Sequence, residues 1–158
     1  MDARIQAIWA EAGFMTALGT RLDAVGDGWV EASVVPTAAH TQQDGFVHAA
    51  VITALADHAA GAAAATRAGE GHRVLTQTFT MHLLRPAVGE RVRVRATVLR
   101  SGRTSAVVES EVFARKGDEE RLVAKGTFTI AVVAPRADGG AGSPRAPHDG
   151  GRSAPRRG

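Results

Sequence analysis

Apolar positions recur at helical spacing near the start of the chain, where Ile5, Ile8, Trp9, Phe14 and Leu18 predict one amphipathic helix over 3–18. Gly19 is placed to end it. The period then changes to two. TRLDAV and WVEASVV read as strands joined by Gly26-Asp27-Gly28, a hairpin signal. Pro36 closes the second strand, and 37–46 is a polar loop. From about Val47 to Arg67 the chain is apolar all round, which predicts a helix buried on nearly every side, ended by Gly69-Glu70-Gly71. Four strand-like runs follow at roughly 73–84, 90–100, 104–115 and 121–133. In the second, Val92, Val94, Ala96 and Val98 oppose Arg91, Arg93, Arg95 and Thr97, so the arginines should form a solvated face. In the last, Leu122, Ala124, Gly126, Phe128, Ile130 and Val132 share one side. The turns at Val88-Gly89-Glu90, Ser101-Gly102-Arg103 and Lys116-Gly117-Asp118 are short, which implies an antiparallel meander.

This order predicts an α+β chain in which one antiparallel sheet wraps a single long buried helix, the hotdog arrangement. A length of 158 residues and 44% hydrophobic content suit one domain with one core. Charge changes the picture only locally. The pI is near 10.5, but residues 135–158 hold five arginines against two aspartates, and the remaining 1–134 are formally neutral. That segment also has four of the six prolines and six of the eighteen glycines. It is read as a disordered basic tail and 1–134 as the folded domain. A nucleic-acid partner is therefore not expected. The absence of cysteine removes disulfides, thiolate nucleophiles and Cys-based zinc sites. The segment MDARIQAIWAEAG does not read as a secretory leader. The apolar stretches stop short of the ~18 residues of a membrane span. A cytoplasmic protein with no membrane partner is the expectation.

One residue breaks the apolar pattern of the long helix. From Ala49 to Ala65 only Thr53, Asp57 and His58 carry polar side chains, and a carboxylate is costly to bury unless something pairs with it or uses it. The start of the same helix, at about His48 to Ala50 behind a turn at Gly45, offers unpaired amides and the positive end of the dipole to an oxygen gaining negative charge. An amide site and a carboxylate base are most of what hydrolysis of an activated acyl compound needs. Ala49 and Asp57 are nevertheless ~12 Å apart along one helix. Two chains paired with these helices antiparallel would bring each Asp57 to the other's helix start, which predicts a homodimer with two sites across its interface. His40, His48 and His58 lack the usual short metal-ligand spacings, so no metal is expected.

The stretch Gln42-x-x-Gly45-x-x-His48-Ala49-Ala50-x6-Asp57 resembles the N/Q-x-x-G-x-x-H-G-G…(D/E) segment of PaaI-type hotdog acyl-CoA thioesterases. The likeness continues through Leu84-Arg85-Pro86-Ala87 and the Ser101-Gly102-Arg103 turn and covers roughly 14–133. The resemblance implies hydrolysis of an aryl-acetyl or short- to medium-chain acyl-CoA to free acid and coenzyme A. It implies no cofactor beyond the coenzyme A of the substrate, and a homodimer or tetramer. By position, Asp57 would be the base or nucleophile and the Ala49 N–H would polarise the thioester carbonyl. Gln42 would hold the thioester or water, Thr76 would orient water, and His48 would support the helix start. Arg85, Gly102 and Arg103 would meet the coenzyme A arm. Ala49-Ala50 departs from the family's Gly-Gly. A helical residue keeps its donor, but its methyl narrows the approach to the carbonyl. Two other functions fit the pattern: a hotdog hydratase or dehydratase using a His with the carboxylate, and a non-catalytic acyl-CoA-binding module.

Overall fold

Asp2 opens the first helix by accepting hydrogen bonds from the Arg4 and Ile5 amides through its side chain. The computed structural model describes residues 2–135, so the tail expected over 135–158 lies, beyond Pro135, outside the described residues. The helix expected over 3–18 is two. α1 (Ala3–Glu11) and α2 (Gly13–Ala17) meet at Ala12, whose backbone leaves the helical region. The break lets both pieces bury residues: Ile5 and Trp9 from α1, and Met15 from α2. A straight helix would point these to different sides.

β1 (Thr20–Gly26) and β2 (Trp29–Val34) form the expected hairpin. Gly28 takes a positive φ of 73° in its two-residue turn. A short 3-10 turn, Ala38–His40, precedes α3 (Ala49–Arg67), and β3 (Arg73–Leu83), β4 (Arg91–Ser101), β5 (Ser105–Lys116) and β6 (Glu119–Val133) follow. All six strands form one antiparallel sheet in the order β1-β2-β4-β5-β6-β3. The four-strand meander expected from the short turns is thus only β4-β5-β6. β3 crosses to the far side and pairs with β6, and among the described residues its other edge has no partner strand. The Leu84 and Arg85 amides both donate to Val123 O, at 2.8 and 3.2 Å, which holds the chain against β6 as it leaves β3.

α3 packs across one face of this sheet, touching β2 to β6. Ten of its nineteen residues are buried, and seven of those ten are alanine. Small side chains let the helix lie close to the valines of β2, β4 and β5. The buried Ser110 hydroxyl donates to Ala56 O across the contact, at 3.1 Å. Arg4 closes the other end by donating to Ala68 O and His72 O, carbonyls at the helix terminus and just beyond. By length and composition α3 could cross a membrane, contrary to the sequence expectation of shorter apolar stretches. Just over half of that apolar window, 56%, is buried inside the protein, against the sheet and the two N-terminal helices.

Two further expectations change. In β6 the alternation slips at Val123, which is buried beside Ala124, while Leu122 pairs with Phe113. On the outer face, Arg93 and Arg95 are not merely solvated. Arg93 grips Glu120 with two hydrogen bonds (2.7 and 3.0 Å) and Arg95 donates to Glu31 (2.7 Å). Both guanidinium groups also lie over aromatic rings, Phe113 and Trp29. The hydrogen bond to Glu120 holds the Arg93 pKa up and the Glu120 pKa down.

Candidate active site

The loop before α3 is built to present one amide. Thr41 and Val47 form an isolated bridge, the Gln42 amide donates to Phe46 O, and Gly45 turns the chain at a φ of 80°. The Val47 and His48 amides are taken by Ala87 O and His40 O, at 3.0 and 2.8 Å. α3 therefore begins at Ala49, two residues after the expected start. His48 is its N-cap: the extended backbone frees the ring to accept the Ala50 amide at Nδ1, at 3.0 Å. The Val51 and Ile52 amides reach His48 O. Only Ala49, of this run of amides, has no acceptor among the described residues. Beside it lies a groove of about 460 Å3 whose walls include Gln42, Phe46, His48, Leu84 and Arg85. A carbonyl placed there would meet the Ala49 N–H at the positive helix end.

Gln42 lines this groove, but its amide group turns back onto Asp44. Nε2 donates to Asp44 Oδ2, and Oε1 accepts the Asp44 backbone N–H. A substrate contact would need that pairing to open.

Two turns along α3, Asp57 is half-buried and meets Thr76 of β3. The Thr76 hydroxyl donates to Asp57 Oδ1 at 2.7 Å. Among the described residues no cation pairs with the carboxylate, and Oδ2 has no protein donor. The register explains the meeting. Thr76 pairs with Ile130 and sits next to a bulge at Gln77, and bulges re-aim neighbouring side chains. Asp57 is thus a held carboxylate with one oxygen free to act.

The expected site residues fall into two groups at opposite ends of the sheet. Gln42, His48, Ala49 and Arg85 surround the groove, where Arg85 is fixed by donating to Leu122 O at 2.9 Å. Asp57 and Thr76 lie at the other end, near the Gly102-Arg103 turn. There Thr104 O accepts from Val132 N, and Ala106 and Thr76 both pair with Ile130. Thr76 and Leu83 are ~20 Å apart along β3. One chain therefore does not bring Arg85 and Arg103 together, nor Ala49 and Asp57.

His58 points away from both groups. Its ring packs edge-on against Trp9 with centroids 4.6 Å apart, and its Nε2 is buried without a partner among the described residues. Burial pushes its pKa down, partly opposed by the Asp57 charge. Among the described residues no cluster of His, Asp and Glu could hold a metal ion.

The sheet wrapped on α3 defines a hotdog-fold protein, and comparison with known proteins places it further. The Thioesterase superfamily matches residues 44–120. A thioesterase family protein from Silicibacter pomeroyi is 36% identical, with 83% of this chain and 96% of that one covered and a TM-score of 0.81. A thioesterase from Haemophilus influenzae is 26% identical over 79% of this chain and 85% of its own, with a TM-score of 0.73. The PaaI protein from the E. coli phenylacetic acid degradation operon, at 19% identity, shares the fold, with a TM-score of 0.74 and coverage of 82% and 91%. The chain belongs to the thioesterase superfamily and is a thioester hydrolase.

Proposed function

We propose that the protein is a PaaI-type acyl-CoA thioesterase in which two chains complete each site. The observation that carries this is the Asp57 carboxylate, held by the Thr76 hydroxyl with no cationic partner among the described residues. In this reading Asp57 takes a proton from water as the water oxygen attacks the thioester carbonyl. The developing oxyanion accepts the Ala49 N–H of the other chain. The C–S bond then breaks, the departing sulfur takes up a proton, and the products are a carboxylic acid and coenzyme A. Thr76 fixes which carboxylate oxygen faces the water, and His48 keeps the helix start square to the groove. No metal or cofactor enters these steps.

β3 offers the surface for the second chain. Leu75, Phe79 and Leu83 are 58%, 50% and 53% exposed on a strand whose outer edge is unpaired. Such an edge is a pairing surface. Antiparallel pairing of two β3 strands lays the Thr76 end of one chain beside the Leu83 end of the other, bringing Asp57 toward the other chain's Ala49. The hydratase alternative has less support, because the His48 ring caps the helix through Nδ1 and the His58 ring is packed on Trp9. A cytoplasmic location fits an acyl-CoA substrate.

The test is free-thiol release from aryl-acetyl and aliphatic acyl-CoA esters by wild type and Asp57→Asn. Turnover of one acyl class, with a hundredfold or greater loss in the variant (on the order of 3 kcal/mol of barrier), is expected. Undiminished turnover by Asp57→Asn would remove Asp57 from the mechanism. A loss of conjugated-alkene absorbance without thiol release would favour the hydratase.

A further inference from the structure

A second groove, of about 450 Å3, shares the Arg85–Pro86 wall with the first and opens at the β5–β6 hairpin. Its lining divides by chemistry. Val88, Ala114 and Val123 make an apolar floor, while Arg85, Lys116 and Arg121 supply three cations against one carboxylate, Glu119. Glu119 binds Arg121 at 2.7 Å. Lys116 has no carboxylate partner among the described residues. The outer sheet face offers a contrast, since Arg93, Arg95 and Lys125 there are each matched by glutamates. Excess positive charge beside an apolar floor suits a ligand carrying both phosphates and a flat ring.

We infer that this groove holds the phosphorylated nucleotide end of the coenzyme A moiety. The inference rests on the acyl-CoA reading above and assigns Lys116 and Arg121, which are not among the residues expected from the sequence, as phosphate-binding residues. The pantetheine arm leaves the thioester at Ala49 and runs past the shared Arg85–Pro86 wall. The nucleotide then lies over Val88 and Val123 with its phosphates on Lys116, Arg121 and Arg85. Arg85 is fixed to Leu122 O, so it stands as a post between the two compartments. Gly102 and Arg103 lie at the other end of the same chain's sheet. The arm thus has two distinguishable routes: along one chain's own hairpin, or across to the β4–β5 turn.

The test compares a coenzyme A ester with the pantetheine ester of the same acid, which lacks the nucleotide. It is made in wild type, the double variant Lys116→Glu/Arg121→Glu, and Arg103→Glu. The ratio of kcat/KM for the two esters is expected to fall at least tenfold in the double variant. An unchanged ratio there overturns the inference, as does a fall confined to Arg103→Glu, which would put the phosphates at the β4–β5 turn. Calorimetric affinities for free coenzyme A and for pantetheine give the same ratio without turnover. Should no thioester be hydrolysed, the thioesterase reading fails, while these affinities still decide where the nucleotide sits.

Discussion

Asp57 is the one carboxylate on a largely apolar helix, and what offsets its desolvation is one hydroxyl and partial access to water. The arrangement leaves an acceptor free, where an arginine partner would have quenched both oxygens. His48 acts at the same scale by a different route, spending its ring on the Ala50 amide so that the Ala49 amide stays open. His48→Ala is expected to cost about 1 kcal/mol of stability by loss of the cap, read as a lowered urea midpoint. His48→Asn, which keeps an acceptor at that position, is expected to recover most of it; equal losses in the two variants would count against the capping role. The sequence singled both residues out, Asp57 as the carboxylate in an apolar run and His48 at the expected helix start, and the roles expected of them came from the resemblance. Gln42 was legible only in part. Its place in the groove follows from the loop, but its turn onto Asp44 depends on local side-chain geometry that no periodicity encodes.

Among the elements, α3 was legible to within two residues at its start because nothing else in the chain is apolar over such a length. The placing of β3 was not. Short turns favour pairing of neighbours, but the β3–β4 connection is tied to the β6 bulge by the Leu84 and Arg85 amides, a long-range contact invisible to alternation. The bulges at Gln77 and Val123 were missed for a similar reason, since each shifts register by one residue without an interrupting Gly or Pro. The docking of α1 on α3 through Trp9 and His58 has a consequence for pH. Burial lowers the His58 pKa below the ordinary value of about 6.5. Between those two values the unfolded chain binds a proton that the folded chain does not, so stability falls as pH falls through that window and is flat above it. Thermal melts from pH 7.5 down to pH 5 should therefore show a smaller loss of Tm in His58→Gln than in wild type. Parallel curves would mean that His58 does not titrate into the fold.

The molecule as a whole carries the two groups of candidate site residues at opposite ends of one sheet, with a strand exposing Leu75, Phe79 and Leu83 between them. The sequence pointed to this arrangement through a single spacing, because Ala49 and Asp57 are too far apart on one helix to share a carbonyl. It could not reveal the open β3 edge, which exists only because β3 moves beyond β6. A charge placed on that edge strand, as in Leu75→Lys, is expected to shift the sedimenting species to monomer and to remove activity with it. A monomer that retains activity would show that one chain suffices. The most direct measurement of the shared site is complementation between two variants. Asp57→Asn removes the carboxylate. Ala49→Pro removes the amide donor at a first helical position, where proline is well tolerated, and its preceding residue is already extended. Each variant alone should be inactive. When the two are unfolded together and refolded, half of the dimers are mixed and each mixed dimer has one intact site, so about one quarter of wild-type thiol release should return. Recovery at that level is the result predicted here; no recovery from a well-folded mixture would mean that Asp57 and Ala49 act within one chain, and would contradict the account.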